Sequence, residues 1–141
     1  MSPLERVTDR VFRQGNPELR STPTPLLTLE EFFDGNDAVG SIGCNLESEP
    51  DPQKFYALLS DIRCRPDVSD VRLQITGVDH PGEDWPYSDT IWIMTSATPD
   101  IVATWFPEAL APNETWEGWL KGEYEPCPVQ AGHRVVAAWY D

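Results

Sequence analysis

Five side chains in this sequence could act as soft nucleophiles or metal ligands: Cys44, Cys64, Cys127, His80 and His133. A catalytic cysteine needs a histidine, a base or a helix N-terminus to lower its pKa. Cys44 lies in Gly43-Cys44-Asn45, and neither histidine is near it in sequence. Cys64 sits between Arg63 and Arg65, which favours a thiolate, but it also continues a helical pattern. Cys127, between Pro126 and Pro128, has no activating neighbour. All three are expected to be buried and inert. No CxxC or HxxxH pair anchors a zinc site. Asp79, Glu83 and Asp84 share one loop, but it lacks the spacing and terminal Glu of a calcium loop. No catalytic residue, metal site or cofactor follows from these groups.

Phosphate cradles fare no better. Gly40-Ser-Ile-Gly43 is not GxGxxG, and GxxxxGK[ST] is absent. GxSxG and HExxH are absent too. The least ordinary stretch is Trp85-Pro86-Tyr87-Ser88-Asp89-Thr90, directly after the acidic loop. Two aromatics beside a proline and a polar run could line a pocket or form an interaction edge. A tight entry into a strand, with Trp85 and Tyr87 on the core, explains them as simply. The residues singled out as a candidate interaction surface are Asp79, Glu83, Asp84, Trp85 and Tyr87.

The charge limits what such a surface could meet. The 141 residues hold 24 acids and 10 bases, a formal charge of −14. The first twenty residues carry four of those bases and three of the acids, so residues 21–141 carry −15. Nucleic-acid affinity comes largely from Lys and Arg neutralising phosphates. DNA, RNA and anionic lipid are therefore poor partners, and a basic protein is a natural one. No apolar run approaches the roughly 18 residues of a membrane span, and no secretory h-region is present. With no paired-cysteine framework, a reducing cytoplasm is the expected compartment.

The elements that must position these residues are legible in part. Residues 1–27, broken by Asn16-Pro17 and Ser21-Thr-Pro-Thr-Pro25, read as a loosely packed arm. Thr28-Leu-Glu-Glu31 is a capping box opening a short helix with Leu29, Phe32 and Phe33 on one face. Ser41 to Leu46 alternates weakly and reads as a strand. Asp51-Pro52 starts a helix in which Phe55, Leu58, Leu59 and Ile62 recur at helical spacing, and Arg65-Pro66 ends it. Val71, Leu73 and Ile75 alternate with polar residues as a half-buried strand. Thr90 to Ala97 reads as a third strand, Thr98-Pro99 opens a helix, and Arg134 to Tyr140 closes the chain as a strand apolar on both faces.

Residues 28–141 thus form a single α+β domain. The order strand, helix, strand, strand, helix, strand predicts a ferredoxin-like βαββαβ antiparallel sheet with helices on one face. Its open face would carry Trp92, Met94 and one side of Val136, Ala138 and Tyr140. A last strand apolar on both sides fits an edge poorly. A loop, another subunit or a different strand order must cover it. The arm or the Trp116/Trp119 segment could cover the open face; otherwise it is a ligand face or a homodimer interface.

Three segments taken together carry a resemblance: Ser41-Ile-Gly-Cys-Asn-Leu46, Arg65-Pro-Asp-Val68 and Trp85-Pro-Tyr-Ser-Asp-Thr90. With Leu29-Glu-Glu-Phe-Phe-Asp-Gly-Asn36 and Gly132-His-Arg-Val-Val136, they resemble a family of small, acidic, single-domain bacterial proteins without a known activity. The resemblance implies a bacterial origin and carries over no catalytic residue.

Two functional readings stand at this level. One is a non-enzymatic protein-binding module, such as an immunity-type inhibitor of a basic toxin, since charge complementarity speeds association with the right partner. The other is a small-molecule binder or enzyme using the open sheet face, which the fold alone neither selects nor excludes. A concave pocket lined by Trp92, Tyr87 and a His or Asp would favour the second.

Overall fold

The computed structural model describes residues 1–141. Helix α1 (Pro3–Val11) is opened by Ser2, whose hydroxyl accepts from the Glu5 amide at 3.1 Å. A two-residue strand β1 (Leu26–Leu27) leads into α2 (Leu29–Phe33). The capping box that opens α2 is complete. Thr28 Oγ1 accepts from the Glu31 amide, and Glu31 accepts from the Thr28 amide at 2.9 Å. Next come α3 (Pro52–Arg63), β2 (Val68–Gln74), β3 (Thr90–Thr95) and α4 (Pro99–Ala103). After a 3-10 turn at Glu108–Leu110, β4 (Glu114–Glu117) and β5 (Arg134–Trp139) complete the chain.

The expected α+β class is what the structure has. All four strand pairings are antiparallel, in the order β1-β2-β3-β5-β4. The strand set differs from the expected one in two respects. Residues 41–46 are not a strand; only Ile42 forms a bridge, a parallel one to Ser88. Gly40 and Gly43 adopt φ of 92° and 65°, left-handed values that curl the segment and that glycine tolerates. In their place the sheet gains β1 and β4 as its edges.

Strand β5 lies inside the sheet, between β3 and β4, so both of its edges are hydrogen-bonded, and a cluster of apolar residues packs on each of its faces. Its register pairs Ile93 with Val136 and Ile91 with Ala138, and these four residues share the helix-packed core. Trp92 and Met94 pair with Ala137 and Val135 and point to the other face. Val136, Ala138 and Tyr140 therefore do not belong to the far face; they join the core with Phe32, Phe55 and Leu59. A one-residue shift in reading a strand exchanges its two faces, because the side-chain period is two.

The far face is not open. Trp116 of β4, Trp119 and Tyr124 fold back over it, with ring centroids 6.4, 4.6 and 5.8 Å from Trp92. Trp92 is 0% exposed, and its indole N–H donates to Gln74 Oε1 at 2.9 Å. A buried indole nitrogen needs such a partner. The first 27 residues are also better packed than expected. Val7 and Val11 of α1 are in the core, and Arg10 bonds to Glu31, Glu125 and the Leu26 carbonyl. The breakers at 16–25 only turn the chain from α1 to β1. No helix is long and apolar enough to cross a membrane.

Candidate functional site

The stretch singled out in the sequence belongs to a long turn between β2 and β3. Gly77 and Tyr87 close it by an antiparallel bridge, with Tyr87 N donating to Gly77 O at 3.0 Å. At its tip the amides of Glu83 and Asp84 both donate to the His80 carbonyl, at 3.0 and 2.9 Å. The Val78 amide ties its stem to Glu18 Oε1 at 2.8 Å, so the N-terminal segment braces the turn.

The curled segment at 38–44 lies opposite. Asn36, 1% exposed, holds it from inside: its Oδ1 accepts from the Ala38 amide at 2.9 Å, and its Nδ2 donates to Ser41 Oγ at 3.0 Å. Ser88 N donates to Ser41 O at 2.8 Å, joining this segment to the strand-entry segment. Between the two walls runs a solvent-open groove of about 390 Å³. Asp79, Asp84, Trp85 and Tyr87 form one side, with Val39 and Cys44 on the other. Four of the five predicted residues thus converge. Glu83 is exposed at the turn tip and lies outside the lining.

The two aromatic walls are held firmly. Trp85 Nε1 donates to the Phe32 carbonyl at 3.1 Å, which fixes the indole against the core. Tyr87 lies directly over Gly77, where a Cβ would stand 2.5 Å from the tyrosine hydroxyl. Only glycine lets the ring approach the backbone so closely. The Tyr87 hydroxyl is held above its usual pKa by burial and by the negative charges of Asp79, Glu18 and Asp89. The groove carries negative potential, and no lysine or arginine lines it. Asp84 Oδ2 accepts from His80 Nδ1 at 2.6 Å, whereas Asp79 makes no ion pair.

The cysteines depart from expectation. Cys44 and Cys64 are exposed and Cys127 is half-buried, all three as free thiols. Cys44 is brought to the surface by the curl at Gly40 and Gly43, which a strand would have avoided. Cys64 caps the C-terminal end of α3 and not its apolar stripe. Cys127, packed against the Trp92 cluster, has its thiol pKa pushed up by burial. Nowhere do three His, Cys, Asp or Glu side chains gather into a group able to hold a metal ion.

One pairing escaped the sequence. His133 Nδ1 is 2.8 Å from Ser69 Oγ, joining the start of β5 to β2 across 64 residues. The pair faces solvent, and no carboxylate is hydrogen-bonded to the ring, so the orienting group of a nucleophilic triad is missing. A second cleft, of about 300 Å³, is lined by Arg6, Arg10 and Arg13 against Glu30, Glu31 and Asp34. Its charges are largely paired within the chain, Arg10 with Glu31 at 2.8 Å and Glu30 with Arg63 at 2.6 Å. It works as a clasp between helices.

Residues 2–138 match the family model described as the uncharacterized protein YfbO family. This chain belongs to that family. It is 44% identical over 142 residues to the uncharacterized protein YfbO of Escherichia coli strain K12, covering 100% of both chains. The resemblance seen in the sequence motifs is thereby shown, and the YfbO match spans the whole bacterial relative. No solved structure matches the chain. YfbO membership brings no assigned activity, so function rests on the groove itself.

Proposed function

We propose that this chain is a non-enzymatic binding module that takes a cationic segment of a basic protein in the groove between Trp85, Tyr87 and the 38–44 segment. One observation carries the reading: four of the five acidic and aromatic residues singled out by sequence line one concave groove that contains carboxylates and no lysine or arginine. A carboxylate without an internal partner, as at Asp79, is stabilised by an external cation, and aromatic faces attract cations as well. The −15 carried by residues 21–141 adds a long-range field that favours a basic partner. Small size and charge make an immunity-type inhibitor of a basic toxin the most natural form of such a module. Three unpaired thiols support placing it in the cytoplasm.

A second reading is favoured by the groove's concavity: a small cationic molecule in place of a protein segment. The two differ in where most of the binding surface lies.

The test is affinity capture from lysate of the source bacterium, at low and at physiological salt. The baits are the wild-type chain and the Asp79→Lys/Glu83→Lys/Asp84→Lys variant. A basic protein retained by wild type, weakened by salt and lost with the variant is expected. Retention of the same proteins by both baits would overturn the reading.

A further inference from the structure

We infer, resting on the reading above, that the cation this groove is built for is a guanidinium: an arginine side chain of the partner, in preference to a lysine. Three features of the groove favour the planar cation. First, its aromatic walls are rigid. Trp85 is pinned through its indole nitrogen to the Phe32 carbonyl, and Tyr87 rests on the bare backbone of Gly77. A fixed ring loses little freedom when a flat group stacks on it, and arginine stacks on aromatic faces better than lysine does.

Second, the groove is open to solvent and cannot strip water from a compact ammonium. A guanidinium is more weakly hydrated and gives up less on entering a half-wet site. Third, the groove offers two carboxylates, Asp79 and Asp84, five residues apart along the turn. Five N–H donors in a fixed fork can serve both, whereas an ammonium acts more nearly as a point charge. A second groove of about 170 Å³ shares Gly40, Cys44 and Tyr87 and runs on to Trp139 and Asp141. It gives the backbone that presents the arginine a path along the surface.

The full chain is titrated by calorimetry at low salt with two blocked peptides, Gly-Arg-Gly-Arg-Gly and its lysine counterpart. The arginine peptide is expected to bind about fivefold more tightly, the scale of a half-exposed cation–π contact. Tyr87→Phe should keep that preference and Tyr87→Leu should remove it, while Asp79→Asn/Asp84→Asn weakens both peptides. An independent readout on the wild-type chain is an upfield ring-current shift of the bound arginine side-chain protons. Equal affinities, a preference that survives Tyr87→Leu, or unshifted arginine protons would overturn the guanidinium assignment while leaving a cation groove in place. If neither peptide binds, or if the double asparagine variant binds both unchanged, the underlying reading fails with it.

Discussion

Arg10 and Glu125, 115 residues apart in sequence, form a two-pronged ion pair: Nη2 to Oε1 at 2.7 Å and Nη1 to Oε2 at 3.1 Å. Their side chains are only 10% and 9% exposed. The same carboxylate accepts from the Leu26 amide at 2.9 Å, and the guanidinium also reaches Glu31 and the Leu26 carbonyl. One arginine thus locks α1, the edge strand β1, the N-terminal turn of α2 and the segment that covers the tryptophan face. The groove depends on this lock indirectly, because the chain after α1 supplies Glu18, which braces the Val78 stem.

Breaking the pair on one side leaves a buried charge uncompensated, at a cost of about 3–5 kcal/mol. Arg10→Ala is therefore expected to lose roughly 3 kcal/mol or more of unfolding free energy, read from urea denaturation. Replacing both Arg10 and Glu125 with apolar residues of similar size should cost less than Arg10→Ala alone. A loss under 1 kcal/mol for the single variant, within what an exposed pair is worth, would show that the network is ornamental.

The pair also sets an acid limit. Burial alone pushes the Glu125 carboxyl up, but the Arg10 hydrogen bonds, the Leu26 amide and the nearby charges of Arg10 and Arg13 outweigh it. The net pKa lies below the ordinary 4.5. A carboxylate whose pKa is lower when folded adds stability above its unfolded pKa and loses it as the pH falls through the folded one. Thermal melting temperature should accordingly be flat from pH 7 to about 5 as far as this group is concerned, and drop below about pH 4.5. Glu125→Gln should start less stable at pH 7 and show a smaller drop. An equal drop in both proteins would assign the acid transition to other carboxylates, among them Glu30, whose pKa Arg63 lowers.

Gly77 ties the placement of Tyr87 to binding. A Cβ there would lie 2.5, 2.7 and 2.9 Å from three atoms at the hydroxyl end of Tyr87, so the ring must swing away. Gly77→Ala is expected to cost about 1–3 kcal/mol, as overpacking does. The protein should still fold but lose most of its affinity for a cationic peptide. Retained affinity with a displaced Tyr87 would remove that ring from the site.

The thiols offer a solvent-exposure test. Exposed Cys44 and Cys64 should react with an aromatic disulfide reagent at pH 8 in a fast phase. Cys127 should follow more slowly, since burial raises its pKa and shields it. A saturating basic peptide should slow Cys44, which lines the groove, and leave Cys64 unaffected. Three thiols reacting at one rate would contradict the packing of Cys127 against the Trp92 cluster.

Much of this architecture is legible in the sequence where local chemistry decides it. The Thr28/Glu31 box, the Asp51-Pro52 helix start and the alternation of β2 each report a hydrogen-bonding or burial pattern confined to a few neighbouring residues. The segment at 41–46 misleads because weak alternation is outweighed by two left-handed glycines, and nothing local announces their φ. The edge strands β1 and β4 are two and four residues long, too short for a period to show. The acidic, aromatic side of the groove is legible because it is one continuous turn. Its other wall, with Val39 and Cys44, comes from 40 residues upstream and meets the turn through Ser41 and Ser88. Likewise, the docking of α1 depends on Glu125, at the other end of the chain.

Cations are expected to bind this chain in one place. The most direct measurement is a two-dimensional amide NMR titration of the full chain with the blocked arginine peptide at low salt. Saturable shifts confined to residues 38–44 and 78–87, weakened by Asp79→Asn/Asp84→Asn, are predicted. Shifts spread over the acidic surface without saturation, or centred on the Arg6–Glu31 cleft, would contradict the account.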